Sequence, residues 1–125
     1  MVDTHGHQLG AKVLREVAQT VNQVLDEGDR IVRYGGDEFV VVLPGQGRAA
    51  SMAKTERVRE AIFSTPFLAD ENIHIRVTAS FGLALFPEDA RTMKQLLLAA
   101  DQCLFQSKHA GRNRISVPSQ TRMAA

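Results

Sequence analysis

The chain has 125 residues, with 15 Lys and Arg against 14 Asp and Glu, which gives a formal net charge of +1. Apolar residues make up 44% and charged residues 23%, as in soluble globular domains, and the length fits one domain. The charge balance argues against a dedicated nucleic-acid binder. The single Cys103 excludes an internal disulfide framework, and no apolar run reaches the roughly 18–20 residues of a membrane helix. We therefore expect a cytoplasmic protein.

The first half of the chain is predicted to form a helix and then a β-hairpin. Apolar residues recur at helical spacing at Val13, Leu14, Val17, Ala18, Val21, Val24 and Leu25. Two β-rich runs follow, at 30–34 and 39–43, on either side of two glycines that permit the positive φ of a tight turn. Because the second run is continuously apolar, we expect that strand to be buried on both faces.

The second half continues the alternation of helices and strands. A helix is predicted at 48–63, and strict alternation at 73–79 predicts a strand that continues to residue 86 with a break near Gly82. A third helix ends at Gly111, a short strand is expected at 114–117, and a flexible tail at 118–125. The order α, ββ, α, ββ, α, β predicts an α/β or α+β domain with one sheet and helices packed against it.

The predicted hairpin tip is the first place that is suited to chemistry. Gly35 and Gly36 would let a ligand approach the backbone, and the adjacent carboxylates of Asp37 and Glu38 offer oxygens to a hard cation such as Mg²⁺. An ordinary hairpin with a polar tip explains the same residues, and the pattern alone favours that simpler interpretation.

The basic end of the chain is the second candidate. No acid follows Asp101, whereas four bases do, at Lys108, Arg112, Arg114 and Arg122. A lysine near the end of a helix and arginines after the turn could hold phosphate oxygens. Basic residues are also favourable at a helix C-terminus without any ligand, because of the helix dipole. The pattern alone again favours the simpler interpretation.

Two further features are weaker candidates for chemistry. An Asp3-x-His5-x-His7 string could ligate a zinc-like ion, although solvated side chains are the better explanation for such a terminal segment. Cys103 lies beside the apolar stripe of the third predicted helix, which favours packing over reactivity. The residues by themselves therefore indicate an anion and metal site on a mixed scaffold, and no more.

Four blocks in a fixed order decide between these interpretations. In chain order they are Asp3-Thr4-His5-Gly6-His7-Gln8-Leu9-Gly10, Arg33-Tyr34-Gly35-Gly36-Asp37-Glu38-Phe39, Val77-Thr78-Ala79-Ser80-Phe81-Gly82-Leu83-Ala84, and Ala100-Asp101-Gln102-Cys103-Leu104-Phe105-Gln106-Ser107-Lys108 with Gly111-Arg112-Asn113. Together they resemble the GGDEF family, the diguanylate cyclases, over nearly all of residues 3–117. The resemblance implies a palm-like fold, similar to that of nucleotidyl cyclases, with a mostly antiparallel central sheet.

The resemblance also implies an activity. Enzymes of this family join two GTP molecules into cyclic di-GMP and release two pyrophosphates, with Mg²⁺ or Mn²⁺, each subunit of a homodimer presenting one GTP. By motif position, Asp37 would be a metal ligand and Glu38 would assist in the same catalytic site. Gly35 and Gly36 would give the nucleotide room, and the side chains of Lys108 and Arg112 would hold its terminal phosphates. His7 would be a structural member of a Gly-His turn.

The positions that depart from the family pattern are as informative as those that match it. Val2 and Ala11 stand where the family has the Asn and Asp that read guanine, and each unpaired polar group at a base-reading site costs on the order of 1–3 kcal/mol. The family's R-x-x-D product-inhibition motif is degenerate, with Asp26 and Asp29 at its ends and Arg57 as a candidate secondary contact. We therefore doubt feedback binding of cyclic di-GMP.

The family's upstream helix and central strand, with its second metal ligand and a phosphate-binding lysine, have no counterpart in this sequence. We expect residues 1–117 to be the C-terminal portion of a GGDEF domain, N-terminally truncated, with little or no cyclase activity as it stands. The alternative is a degenerate, non-catalytic GGDEF module that binds nucleotide or a protein partner. A strand that lacks its neighbour leaves an open edge, which favours pairing with a second copy.

Overall fold

A computed structural model describes residues 4–118, and only the backbone of residues 4–7. Three α-helices and four strands occur within this range, and a 3₁₀ turn at Ala69–Glu71 follows the second helix. In chain order the elements are α1 (Thr4–Val24), β1 (Arg30–Gly35), β2 (Glu38–Val42), α2 (Arg48–Ser64), β3 (Phe81–Gly82), α3 (Met93–His109) and β4 (Ile115–Ser116). The predictions for Val2, Asp3 and residues 119–125 lie outside the described residues. No helix in the described range is both long and apolar enough to cross a bilayer.

The mixed α+β class is confirmed, but the prediction of one central sheet is wrong for the described residues. They contain two separate two-stranded sheets, β1-β2 antiparallel and β3-β4 parallel. The predicted strand at 73–86 reduces to β3 and to an isolated antiparallel bridge between Phe67 and Ile75. Alternation gives an extended chain, but a strand also needs a hydrogen-bonding neighbour, and residues 76–80 have none among the described residues.

Two compact units make up the structure, and the first contains residues 4–46 and 60–77. Its core holds the buried Val21 of α1 together with Ile62, Phe67 and Leu68. The prediction that the second hairpin strand is buried on both faces is wrong, since Val41 and Val42 are 38% and 46% exposed. Within the described part of this unit β2 pairs only with β1, and α1 packs against β1.

Polar contacts attach the segment after α2 to helix α1. Lys12 Nζ lies 2.8 Å from a carboxylate oxygen of Asp70 and 2.8 Å from one of Glu71. The hydrogen bond from Lys12 holds the pKa of Asp70 below its usual range. Glu16 Oε1 accepts a 2.8 Å hydrogen bond from the backbone N–H of Leu68. Polar side chains of α1, which lie outside its apolar face, therefore hold residues 68–71 against the helix.

Helix α1 also corrects one expectation from the family resemblance. The Gly-His pair at Gly6 and His7 was expected to form a turn, but both residues lie inside α1, which begins at Thr4. The prediction from periodicity had placed helical residues only from Lys12 onward. The apolar stripe of α1 starts at that residue, so the polar first two turns of the helix gave no hydrophobic signal.

The second unit contains residues 47–59 and 78–118. Gly82 of β3 lies directly against the backbone of α3, and Ser107 of α3 is fully buried. Ser107 Oγ is 2.7 Å from the Phe81 carbonyl oxygen, to which it donates, and 2.7 Å from Ser116 Oγ. Cys103 is buried as predicted, and burial raises the pKa of its thiol, with a smaller effect from the carboxylate of Asp89. We infer that Cys103 packs in the interior and is not a reactive thiol.

Candidate functional site

The hairpin tip is a two-residue turn whose backbone requires glycine. Gly35 pairs with Glu38 across the turn, so Gly36 and Asp37 are its central residues. Gly36 has φ +40°, a left-handed value that favours glycine in tight hairpin turns. A β-carbon on Gly35 or Gly36 would meet no atom within 4 Å. The space beside both glycines is therefore open.

Arg33 fixes the conformation of this turn from the preceding strand. Its guanidinium donates two hydrogen bonds to the carbonyl oxygen of Gly36, the one from Nε being 2.8 Å long. The strand register shifts between Arg33 and Gly35. Arg33 is a site residue that sequence reasoning missed. It lies inside the family string, but no periodicity distinguishes an arginine that clamps a turn from a solvated one.

The two acidic residues differ in exposure. Asp37 is exposed at the tip of the turn, and Glu38 is half-buried as the first residue of β2. No group of three or more His, Cys, Asp or Glu residues that could enclose a metal occurs among the described residues. Mg²⁺ typically takes one or two carboxylates together with substrate phosphates and water. The donor set therefore fits a magnesium ion held jointly with a nucleotide, and does not fit a cage made of protein alone.

An open cavity of about 240 Å³ lies beside the hairpin, in the same unit. Its lining is mainly apolar and comes from α1 and both strands, at Leu14, Arg15, Ala18, Ile31, Arg33 and Phe39. Ala11 is exposed one helical turn before Leu14 and Arg15, and therefore lies on the same side of α1. The Ala11 side chain has no group that could form a hydrogen bond on this side of the helix.

The predicted phosphate-binding residues belong to the second unit, at the end of α3. Lys108 is half-buried in the last turn of the helix, and Arg112 is exposed in the loop that follows. This loop has positive φ at Gly111 (+126°), Arg112 (+64°) and Asn113 (+51°). The structure therefore brings Gly35, Gly36, Asp37 and Glu38 together in one turn, and Lys108 and Arg112 together around one loop of the other unit.

The residues of the degenerate inhibition motif have a structural role. Asp29 is buried, and its carboxylate accepts hydrogen bonds from the Asp26 N–H at 2.8 Å and from Gln46 Nε2 at 3.0 Å. Asp26 is exposed in the same turn, and Arg57 is exposed on α2 in the other unit. Because the Asp29 carboxylate already serves the turn, it is poorly suited to bind a ligand base.

Comparison with known proteins agrees with this geometry. Residues 1–114 match the profile of the family described as diguanylate cyclase, GGDEF domain. Diguanylate cyclase A of Treponema denticola is 36% identical over 115 residues, which are 92% of this chain and 31% of that protein. The chain thus spans about a third of the length of the curated relatives it matches first.

Solved structures give the same result. An EAL/GGDEF domain protein from M. capsulatus superimposes with a TM-score of 0.80 at 28% identity, covering 94% of this chain and 75% of that one. The coiled coil and GGDEF domain of DgcB from Caulobacter crescentus, solved in complex with c-di-GMP, gives 0.80 at 29% identity, covering 92% and 61%.

Fold, hairpin and profile together define the class: this chain belongs to the GGDEF domain family of diguanylate cyclases. The resemblance inferred from four sequence blocks is confirmed. The comparisons do not favour the alternative of a degenerate, non-catalytic module.

Proposed function

We propose that this chain supplies the nucleotide site of a diguanylate cyclase. In the reaction, the 3′-hydroxyl of one GTP attacks the α-phosphorus of a second GTP, a new P–O bond forms, the hydroxyl proton is lost, and pyrophosphate leaves. The reciprocal step closes the ring, so two GTP give cyclic di-GMP and two pyrophosphates. The single observation that supports this most directly is the unbroken Gly-Gly-Asp-Glu-Phe string on a tight turn with Asp37 exposed at its tip.

In this proposal the hairpin tip holds the metal and the reacting phosphate. Asp37 ligates Mg²⁺ (or Mn²⁺), Glu38 assists from the start of β2, and Gly35 and Gly36 admit the triphosphate close to the backbone. Bound with the nucleotide, the cation would offset phosphate charge and lower the pKa of the attacking 3′-hydroxyl. The Arg33 clamp on the Gly36 carbonyl keeps the turn in place during the reaction.

The remaining nucleotide contacts follow from charge and shape. Lys108 and Arg112 bind the terminal phosphates, for which Arg is suited by its fork of donors. The apolar cavity beside the hairpin receives the base, and Ala11 leaves one base-reading contact unmade. We therefore propose GTP binding with weak base selectivity, and low cyclase activity for this chain.

Two copies of the domain are needed, because each presents one GTP to the other. The exposed Val41 and Val42 on a strand with one described neighbour are compatible with such pairing. Sedimentation of the chain with and without GTP measures it, and a monomer under both conditions argues against the homodimer. Since GTP is a cytoplasmic substrate, the proposal places the domain in the cytoplasm.

The decisive experiment is calorimetry with GTP in the presence and absence of Mg²⁺, combined with chromatographic detection of cyclic di-GMP. Asp37→Asn should weaken Mg²⁺-dependent GTP binding by about tenfold or more, since a charged metal ligand is lost. Binding measured without Mg²⁺ should stay unchanged. A variant with wild-type affinity in Mg²⁺ would refute the assigned metal role.

Glu88→Gln is the matched control, since Glu88 is an exposed acid in a turn of the other unit. It removes one negative charge, as Asp37→Asn does, and should leave both titrations unchanged. Cyclic di-GMP itself should bind weakly, because Asp29 is engaged in its turn. If neither GTP nor cyclic di-GMP binds, the chain has an interaction role and the proposed function is wrong.

A further inference from the structure

The loop after α3 is held by a side chain that the family motifs do not include. Arg59 of α2 donates from Nη1 to Asn113 Oδ1 at 3.0 Å. Both residues belong to the second unit. On its other side the Arg59 guanidinium is held by Glu56, through Nε at 3.2 Å to both carboxylate oxygens and through Nη2. Arg59 therefore connects a rigid helix to the loop across 54 positions of sequence.

The loop needs such support because its backbone is strained. Arg112 and Asn113 have φ of +64° and +51°, and a left-handed conformation is unfavourable for side chains with a β-carbon. Asn tolerates this conformation better than Arg does. Strained residues persist only where the surroundings hold them in place.

The surrounding hydrogen bonds hold both residues. The N–H of Arg112 donates to the Ser107 carbonyl at 2.9 Å, and the N–H of Asn113 lies 3.3 Å from Ser80 Oγ. The side-chain bond from Arg59 to Asn113 adds the third attachment. The Arg112 side chain itself is exposed and is aimed by this backbone.

We propose that Arg59 is a positioning residue for phosphate binding: by holding Asn113, it keeps the loop in the conformation that presents the Arg112 guanidinium to the nucleotide. The inference rests on the proposed function, in which Arg112 binds phosphate. Arg59 acts only through the loop and touches no substrate. Its loss should weaken recognition of phosphates and leave recognition of the base intact.

The test uses the full chain and two ligands, guanosine 5′-[β,γ-imido]triphosphate with Mg²⁺ by calorimetry and guanosine by NMR titration. Arg59→Met should weaken binding of the triphosphate by roughly fivefold to tenfold, the effect of losing one hydrogen bond to a charged group. Guanosine affinity should not change. Arg91→Met is the control, because Arg91 is exposed in the same unit and remote in sequence from α2 and the loop.

A double-mutant cycle separates the inference from the proposed function. If Arg59 acts through Arg112, the variant with both Arg59→Met and Arg112→Ala should bind the triphosphate no more weakly than Arg112→Ala alone. Additive losses would overturn the inference, as would wild-type affinity for Arg59→Met when Arg112→Ala is weakened. Wild-type affinity for Arg112→Ala would instead refute the phosphate role on which the inference rests.

Hydrogen exchange gives a readout that needs no nucleotide. In Arg59→Met the amides of Arg112 and Asn113 should exchange faster, while amides in the middle of α3 keep their protection. Unchanged exchange at both loop amides would overturn the inference. If Arg59→Met does not fold, Asn113→Gly removes the same hydrogen bond from the loop side without adding strain at φ +51°, and it should reproduce the loss of triphosphate affinity.

Discussion

Replacing Gly82 tests how helix α3 is held against strand β3. A β-carbon on Gly82 would lie 2.0 Å from the carbonyl oxygen of Ala100, 2.4 Å from the nitrogen of Leu104 and 3.0 Å from the carbonyl carbon of Cys103. All three are backbone atoms of α3, so no change of side-chain rotamer relieves the contact. Since non-bonded heavy atoms pack at about 3.5–4.0 Å, β3 and α3 would have to separate by roughly 1.5–2 Å.

The cost of this separation has two parts. Forcing an extra methyl group into a packed interface typically costs about 1–3 kcal/mol. Ser107 Oγ and the Phe81 carbonyl oxygen, now 2.7 Å apart, would also move apart, and a weakened buried hydrogen bond adds about 1 kcal/mol. Gly82→Ala should therefore lower the free energy of unfolding by about 3 kcal/mol, a large fraction of the roughly 5–15 kcal/mol of a typical domain.

Urea denaturation followed by far-ultraviolet circular dichroism measures this loss. Gly10→Ala is the control, because Gly10 lies inside α1 and its added β-carbon would meet nothing within 4 Å. In that helix the same chemical change should stabilise the chain by about 0.5–1 kcal/mol. Equal denaturation midpoints for Gly82→Ala and the wild-type chain would refute the packing argument.

Two further predictions concern base selectivity and acid stability. Ala11→Asp should restore a hydrogen-bonding group on the cavity side of α1 and raise the preference for GTP over ATP by about tenfold, measured by competitive binding; an unchanged ratio argues against this base site. The hydrogen bond from Arg59 lowers the pKa of Glu56 from its ordinary value of 4.5. The pKa of Glu56 is lower in the folded state than in the unfolded state. The ionised Glu56 side chain therefore stabilises the fold fully at pH values above its unfolded-state pKa, and this stabilisation is lost as the pH falls through its folded-state pKa. The difference in free energy of unfolding between the wild-type chain and Glu56→Gln should thus be present at neutral pH and disappear in acid. A difference that does not depend on pH would contradict the ion pair.

Periodicity predicted the elements that bury an apolar face of their own. Helix α2, predicted at 48–63, is Arg48–Ser64, and its Val58 and Ile62 are buried. The short last strand, predicted at 114–117 without a periodic signal, is Ile115–Ser116. The hairpin turn was also predictable, since two adjacent glycines between β-rich runs have few other uses. Alternation at 73–79 was misleading because it describes which side chains face inward and does not tell whether a neighbouring strand is present.

The candidate site residues stay predictions that rest on sequence motifs. Asp37 and Arg112 were identified by their place in family strings, but the contacts that fix them were not. Arg33 and Arg59 act through hydrogen bonds to a backbone carbonyl and to a side chain 54 positions away. Such partners are set by the tertiary fold, and an arginine has the same appearance in a sequence whether it clamps a loop or faces water.

The family blocks in the second unit acquire a common physical meaning from the structure. Ser80 and Gly82 of one block contact other parts of the same unit: Ser80 Oγ supports the N–H of Asn113, and Gly82 lets α3 approach β3 closely. Ser107 of the closing block is buried, and its carbonyl oxygen accepts the N–H of Arg112. A strained loop at the end of a helix needs attachments from several segments at once. These blocks therefore build the loop, and in our proposal Lys108 and Arg112 are the residues that use it.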